Sequence, residues 1–140
     1  MNQDHTNKAP LKNILIVEDD PNNGEFLSLV ISQETDYTPF LAINAEEALK
    51  VVQKMTPDLF ILDYFLPPGI NGFELYKQLH TTIGLQDVPT IFLSASTEKD
   101  VIKQNNILFL EKPFELDELL KTIDELVRTS SSPRNVSAEG

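Results

Sequence analysis

The sequence contains no cysteine, so neither a disulfide nor a thiolate metal site can be built from it. It has only two histidines, His5 and His80, in no ligand or catalytic motif, and both are expected to face solvent. Glycine is scarce at five residues, and the first strand-to-helix turn, Glu18-Asp-Asp-Pro-Asn-Asn-Gly24, has acid where a phosphate cradle needs glycine and open amides. That disfavours a dinucleotide or flavin binder. No apolar run reaches the ~18 residues of a membrane span. Met1 to Lys12 lacks the apolar centre of a secretion signal. A soluble, cytoplasmic protein is the default expectation. Positive charge is short as well: 11 Lys and Arg stand against 22 Asp and Glu, for a net charge of -11. Lys8 and Lys12 against Asp4 leave the first twelve residues at +1, and Arg134 and Glu139 cancel in the last twelve. The stretch between therefore carries -12. Such a domain repels a phosphate backbone, so direct nucleic-acid binding is not expected, whereas a cation site suits it.

What is present is a globular chain of 140 residues, 41% hydrophobic and 24% charged, enough for one domain with a real core. It is organised around Asp58-Leu-Phe-Ile-Leu-Asp63, followed by Tyr64-Phe-Leu-Pro67 and a Pro/Gly-rich turn. Leu59 to Leu62 is apolar without alternation, the pattern of a strand buried on both faces of a parallel sheet. Ligands bind at the carboxyl ends of strands in open α/β sheets, so Asp63 sits where chemistry is expected.

The remaining elements alternate. Asn13 to Val17 reads as a first buried strand, and Asp20 before Pro21 is a strong helix start, with Phe26, Leu27, Val30 and Ile31 as the inward stripe. Tyr37 to Ala42 is a weaker strand, and Pro39 confines it to a sheet edge. Asn44 to Glu47 opens a second helix as a capping box, with Ala48, Leu49, Val52 and Met55 facing inward. A third helix spans roughly Asn71 to His80, Pro89 to Ser94 is a fourth strand, and Thr97 to Gln104 is a short fourth helix. Ile107 to Leu110 is a fifth strand. Leu116, Leu119, Leu120, Ile123, Leu126 and Val127 mark the last helix. Five strands alternating with five helices predict a flavodoxin-like, doubly wound parallel sheet of order 2-1-3-4-5 in a single domain. Residues 1–12 are expected as a flexible segment, 13–128 as the domain and 129–140 as a disordered Ser-rich tail.

Polar groups fall at four strand ends: Glu18 and Asp19, Asp63, Ser94 and Lys112. Converging carboxylates repel unless a cation sits among them, and an all-oxygen set points to Mg²⁺. A hydroxyl and an ammonium beside it would hold phosphoryl oxygens, which makes Asp63 a candidate nucleophile. Singly, each residue has an ordinary role: a helix-capping acidic run, a strand-end hydroxyl, a surface lysine. Their joint occurrence carries the assignment.

With Ile14-Leu-Ile-Val-Glu-Asp19, Leu62-Asp63, Leu66-Pro67, Gly72, Leu93-Ser94-Ala95 and Lys112-Pro113-Phe114 in this order, the chain resembles the receiver domain of bacterial two-component response regulators over about residues 13–128. The resemblance implies that Glu18, Asp19, Asp63 and the Phe65 carbonyl hold Mg²⁺. Asp63 would take a phosphoryl group from the phosphohistidine of a sensor histidine kinase or phosphotransfer protein. Ser94 would hydrogen-bond that group, Lys112 would pair with it, and Phe109 would be the switch aromatic. The Lys112-Pro113 bond is expected to be cis. On this reading the chain is a stand-alone switch, not an enzyme beyond its own phosphorylation and dephosphorylation. It would act on a protein partner of unknown identity, as a monomer or weak dimer.

Two departures stand out. The turn after Asp63 is one residue longer than the usual pattern, and the interval from Ser94 to Lys112 is shorter by about one helical turn. Alternatives are a receiver-like scaffold that never uses its phosphosite, or an Asp-nucleophile phosphatase. The latter wants a second Asp where this chain has Phe65.

Overall fold

The computed structural model describes residues 12–66, 71–94 and 108–131. Five parallel strands form one sheet: β1 (Asn13–Val17), β2 (Thr38–Ala42), β3 (Leu59–Asp63), β4 (Thr90–Ser94) and β5 (Leu108–Glu111), in the order β2-β1-β3-β4-β5. The flavodoxin-like order expected from the sequence is the order found. Four helices are described: α1 (Pro21–Glu34), α2 (Ala45–Val51), α3 (Gly72–His80) and α4 (Leu116–Ser131). The short helix expected at residues 97–104 lies outside the described residues.

β3 occupies the middle because it can be buried on both faces. Leu59, Phe60, Ile61 and Leu62 are all fully buried, and each contributes about 1.5–3 kcal/mol on leaving water. Pro39 sits within β2 without breaking the ladder. The Thr38 amide donates to the Lys12 carbonyl at 2.8 Å, so by strand alternation the position of Pro39 faces away from β1, where an edge strand has no partner.

Alternation divides the core in two. Ile14, Ile16, Leu59, Ile61, Ile91, Leu93 and Leu110 point to one face and pack under Leu27 and Ile31 of α1 and Leu119, Ile123 and Val127 of α4. Leu15, Val17, Phe60, Leu62 and Phe92 point to the other, under Ala48 of α2 and Leu75 and Leu79 of α3. Phe73, Tyr76 and Phe109 are half-buried against this second face.

The helix starts follow local chemistry. Asp20 caps α1 by accepting from the amides of Asn22 and Asn23, with Pro21 in the first turn. At α2 the Asn44 side chain accepts from the Glu47 amide at 2.8 Å, but the Glu47 carboxylate reaches back to Ile43 rather than to Asn44. α3 carries a full capping box between Asn71 and Glu74.

Several expectations need correction. Phe26 is 54% exposed, because α1 turns it toward solvent beside the strand ends. α2 ends at Val51, so Val52 is its cap and Met55 lies beyond it. α4 runs on to Ser131, past the boundary expected at 128. His80 is half-buried and does not face solvent. Its two ring nitrogens lie 2.8 Å from the Tyr76 carbonyl and 2.7 Å from the Val88 carbonyl, and its ring packs on Tyr76 and edge-on to Phe60.

Candidate functional site

The strand ends deliver charge to one place. Glu18 follows β1, Asp63 ends β3 and Lys112 follows β5, and the first two are only 2% and 5% exposed. Carboxylate oxygens of Glu18, Asp19 and Asp63 all lie within 4.8 Å of one another. The Lys112 ammonium donates to Asp63 Oδ2 at 3.0 Å and stands 3.8 Å from Glu18 Oε1. The amide of Phe65 donates to Asp63 Oδ1 at 3.2 Å, so both oxygens of this carboxylate are engaged. The Asp20 amide donates to Glu18 Oε2 at 3.2 Å. The Lys112–Pro113 bond is cis, as expected.

Two backbone devices fix Asp63. Its strand pairs with Leu93 of β4, and the Tyr64 amide donates to the Leu93 carbonyl at 2.9 Å. Gly72 then seats against the strand end: its amide donates to the Tyr64 carbonyl at 2.7 Å, and a Cβ there would overlap the Asp63 carbonyl oxygen. Only glycine lets α3 start this close.

The electrostatics are those of a crowded acid cluster with one cation. Burial, then the hydrogen bond with Asp63 and its charge, push Glu18 up to about 7, against the opposing pull of Lys112. Burial works to lower Lys112, but the hydrogen bond to Asp63, its charge and those of Glu18 and Asp19 outweigh it, so its pKa is raised. One lysine does not neutralise three clustered carboxylates. The donor set, all oxygen and short of positive charge, fits a hard divalent cation such as Mg²⁺.

The cluster opens into a cavity of about 480 Å³ whose rim adds Asp20, Asn23 and Phe65. Phe65 is 64% exposed there. A second cavity of about 500 Å³, lined by Phe26, Leu27, Leu93, Pro113 and Phe114, lies alongside and shares Glu18, Asn23 and Lys112 with the first.

Of the residues singled out in the sequence, Glu18, Asp19, Asp63, Phe65 and Lys112 come together around one cavity. Ser94 does not line it. It is 1% exposed at the end of β4, one residue past the partner of Asp63, and its carbonyl accepts from the Lys112 amide at 2.9 Å. Phe109 lies opposite Phe92 on β5, half-buried against the second face. Asp20 was legible only as a helix cap. Asn23 was not singled out at all, and its place one helical turn after the acidic run was the available signal.

A five-stranded α/β domain with clustered carboxylates and a lysine at its strand ends is the architecture of a phosphoryl-signalling receiver. The family model of the response regulator receiver domain matches residues 14–124, and the chain belongs to that family. The transcriptional regulatory protein MalR of Bacillus subtilis is 35% identical over 133 residues, which cover 89% of this chain and 55% of MalR. Sporulation initiation phosphotransferase F of the same organism is 31% identical over 123 residues, covering 85% of this chain and 96% of that protein. The structure of the response regulator TrrA of Thermotoga maritima, in complex with Mg²⁺-BeF, aligns with a TM-score of 0.73 and 32% identity over 83% of this chain and 99% of TrrA. The chain thus spans about half the length of MalR and nearly all of phosphotransferase F. Receiver domains bind Mg²⁺ at an acidic pocket, interact with histidine kinases or phosphotransfer proteins, and act as signalling switches. Among the described residues no helix is long and apolar enough to cross a membrane.

Proposed function

We propose that Asp63 is the phosphoacceptor of a phosphorelay switch. The observation that carries this reading is the 3.0 Å contact of Lys112 Nζ with Asp63 Oδ2 inside the carboxylate cluster. An ammonium held there stands beside any phosphoryl group that the carboxylate acquires. In the transfer an Asp63 oxygen bonds to phosphorus, the bond to the donor nitrogen of a phosphohistidine breaks, and its electron pair returns to the imidazole. Glu18, Asp19, Asp63 and the Phe65 carbonyl would hold Mg²⁺, which when bound neutralises charge between carboxylates and phosphoryl oxygens. Lys112 pairs with the transferred group. Ser94 hydrogen-bonds a phosphoryl oxygen by its hydroxyl, and Phe109 reports the change on the second face.

The activity is confined to the chain's own phosphorylation and dephosphorylation. The chain's net charge of -11 repels a phosphate backbone, which supports a protein partner rather than nucleic acid. The test is incubation with Mg²⁺ and acetyl phosphate, read by intact mass. The wild type should gain one phosphoryl group, chelation of the metal should prevent it, and Asp63→Asn should gain none. An Asp63→Asn chain that is phosphorylated at the wild-type rate would sink the reading.

A further inference from the structure

The two cavities beside Asp63 meet at a wall made by Glu18, Asn23 and Lys112. Asn23 differs from its neighbours there. Glu18 and Lys112 are charged and bound to the Asp63 cluster, as shown by the contacts above. The rim adds only the carboxylate of Asp20 and the apolar ring of Phe65. Among the described residues lining the acidic cavity, Asn23 is the only uncharged polar side chain, and no hydrogen bond joins that side chain to another described residue. Its backbone is held: the Asn23 amide donates to Asp20 Oδ1 at 3.4 Å, in the first turn of α1. Its neighbour Asn22, in the same turn and likewise exposed, lines neither cavity.

Resting on the reading of Asp63 as phosphoacceptor, we infer that Asn23 is the positioning residue for the water that removes the phosphoryl group. Loss requires a water oxygen to bond to phosphorus while the bond from phosphorus to the Asp63 oxygen breaks. The electron pair stays on the carboxylate, and the water's protons leave with inorganic phosphate. A carboxylate facing the phosphoryl group repels it, and a phenyl ring offers water no partner. A carboxamide does both tasks: its oxygen accepts from the water, and its NH₂ donates to a phosphoryl oxygen. The lifetime of the signal is then set from α1.

The test follows decay of the phosphorylated full chain by intact mass after the donor is removed. Asn23→Leu should slow decay about fivefold, the order of effect expected when a water loses one orienting hydrogen bond. Asn23→Gln should fall between Asn23→Leu and wild type, since it keeps the amide at a longer reach. Asn22→Leu makes the same change of helix chemistry outside the cavity and should decay at the wild-type rate. Wild-type decay in Asn23→Leu, or equal slowing in Asn22→Leu, overturns the assignment alone. A wild-type chain that gains no phosphoryl group overturns the reading of Asp63, and this assignment with it.

Discussion

The two faces of the sheet are made of different material. The buried residues between the sheet and α1 and α4 are all isoleucine, leucine and valine, with only the half-buried Tyr37 and Phe114 as aromatics packed against them. The opposite face is built around Phe60 and Phe92, with Tyr64, Phe73, Tyr76 and Phe109 packed against them. Tilted ring contacts at 5.6–5.8 Å join Phe92 to Tyr76 and Tyr64. Glu18, Asp63 and Lys112 continue the alternation of the aliphatic face, whereas Ser94 and Phe109 continue that of the aromatic one. The charged cluster therefore stands on branched side chains with few rotamers, and the groups expected to read it stand on rings. Any signal from Asp63 has to cross the sheet. The hydrogen bond from the Lys112 amide to the Ser94 carbonyl is one route between the two.

The largest break in this contrast should come from Phe92→Ala. It removes the ring that three other aromatics share, and should cost about 3–5 kcal/mol in denaturant unfolding. Ile61→Val on the opposite alternation should cost only about 1 kcal/mol. A Phe92→Ala loss no larger than that of Ile61→Val would show that the shared ring carries little of the packing on its face.

Next in size is a pH effect confined to the aliphatic side. Glu18 titrates near 7 in the fold against 4.5 when unfolded, so folding favours its protonated form. That stability is fully present below pH 4.5 and is lost as pH rises through 7, by about 3 kcal/mol in metal-free buffer. Glu18→Gln should flatten the curve, and Mg²⁺ at pH 8 should restore most of the loss. Metal-free stability that rises between pH 5 and 8 would contradict the assignment.

A smaller effect is kinetic. Phe65 lines the cavity and its ring offers no partner to water, so Phe65→Asn should shorten the life of the phosphorylated chain about fivefold. A decay equal to or slower than wild type would count against that role. Smallest is Tyr37→Phe, which deletes the 3.1 Å hydrogen bond from the hydroxyl of Tyr37, just before β2, to Asp124 of α4. Its half-exposed setting limits the loss to about 0.5 kcal/mol, measurable as a small shift in midpoint.

The architecture was legible because its signals are local. Unbroken apolar runs mark the inner strands, Pro39 marks an edge, and Asp20-Pro21 marks a helix start. The cluster was legible because strand ends converge in this topology, which brought Glu18, Asp63 and Lys112 together from distant parts of the chain. What escaped depended on side-chain direction. Phe26 fits the helical stripe by spacing, yet α1 ends its covered arc one position short of it. His80 carries no motif, and its partners are two backbone carbonyls, which no residue pattern announces. Asn23 becomes visible only when the cavity wall is seen from both sides.

Gly72 has a consequence for how this chain tolerates change. The segment from Tyr64 to Gly72 is pinned at both ends by the amide-to-carbonyl bond between those two residues. With its ends fixed, the number of residues between them is nearly a free variable. One more residue in a closed loop of this size adds roughly 0.1 kcal/mol of closure entropy. The extra residue expected after Asp63 would thus cost little. The position that cannot vary is the pin: any side chain at residue 72 would push α3 off the strand end and move the Asp63 carbonyl with it. Identity at residue 72 is held by one atom-sized gap.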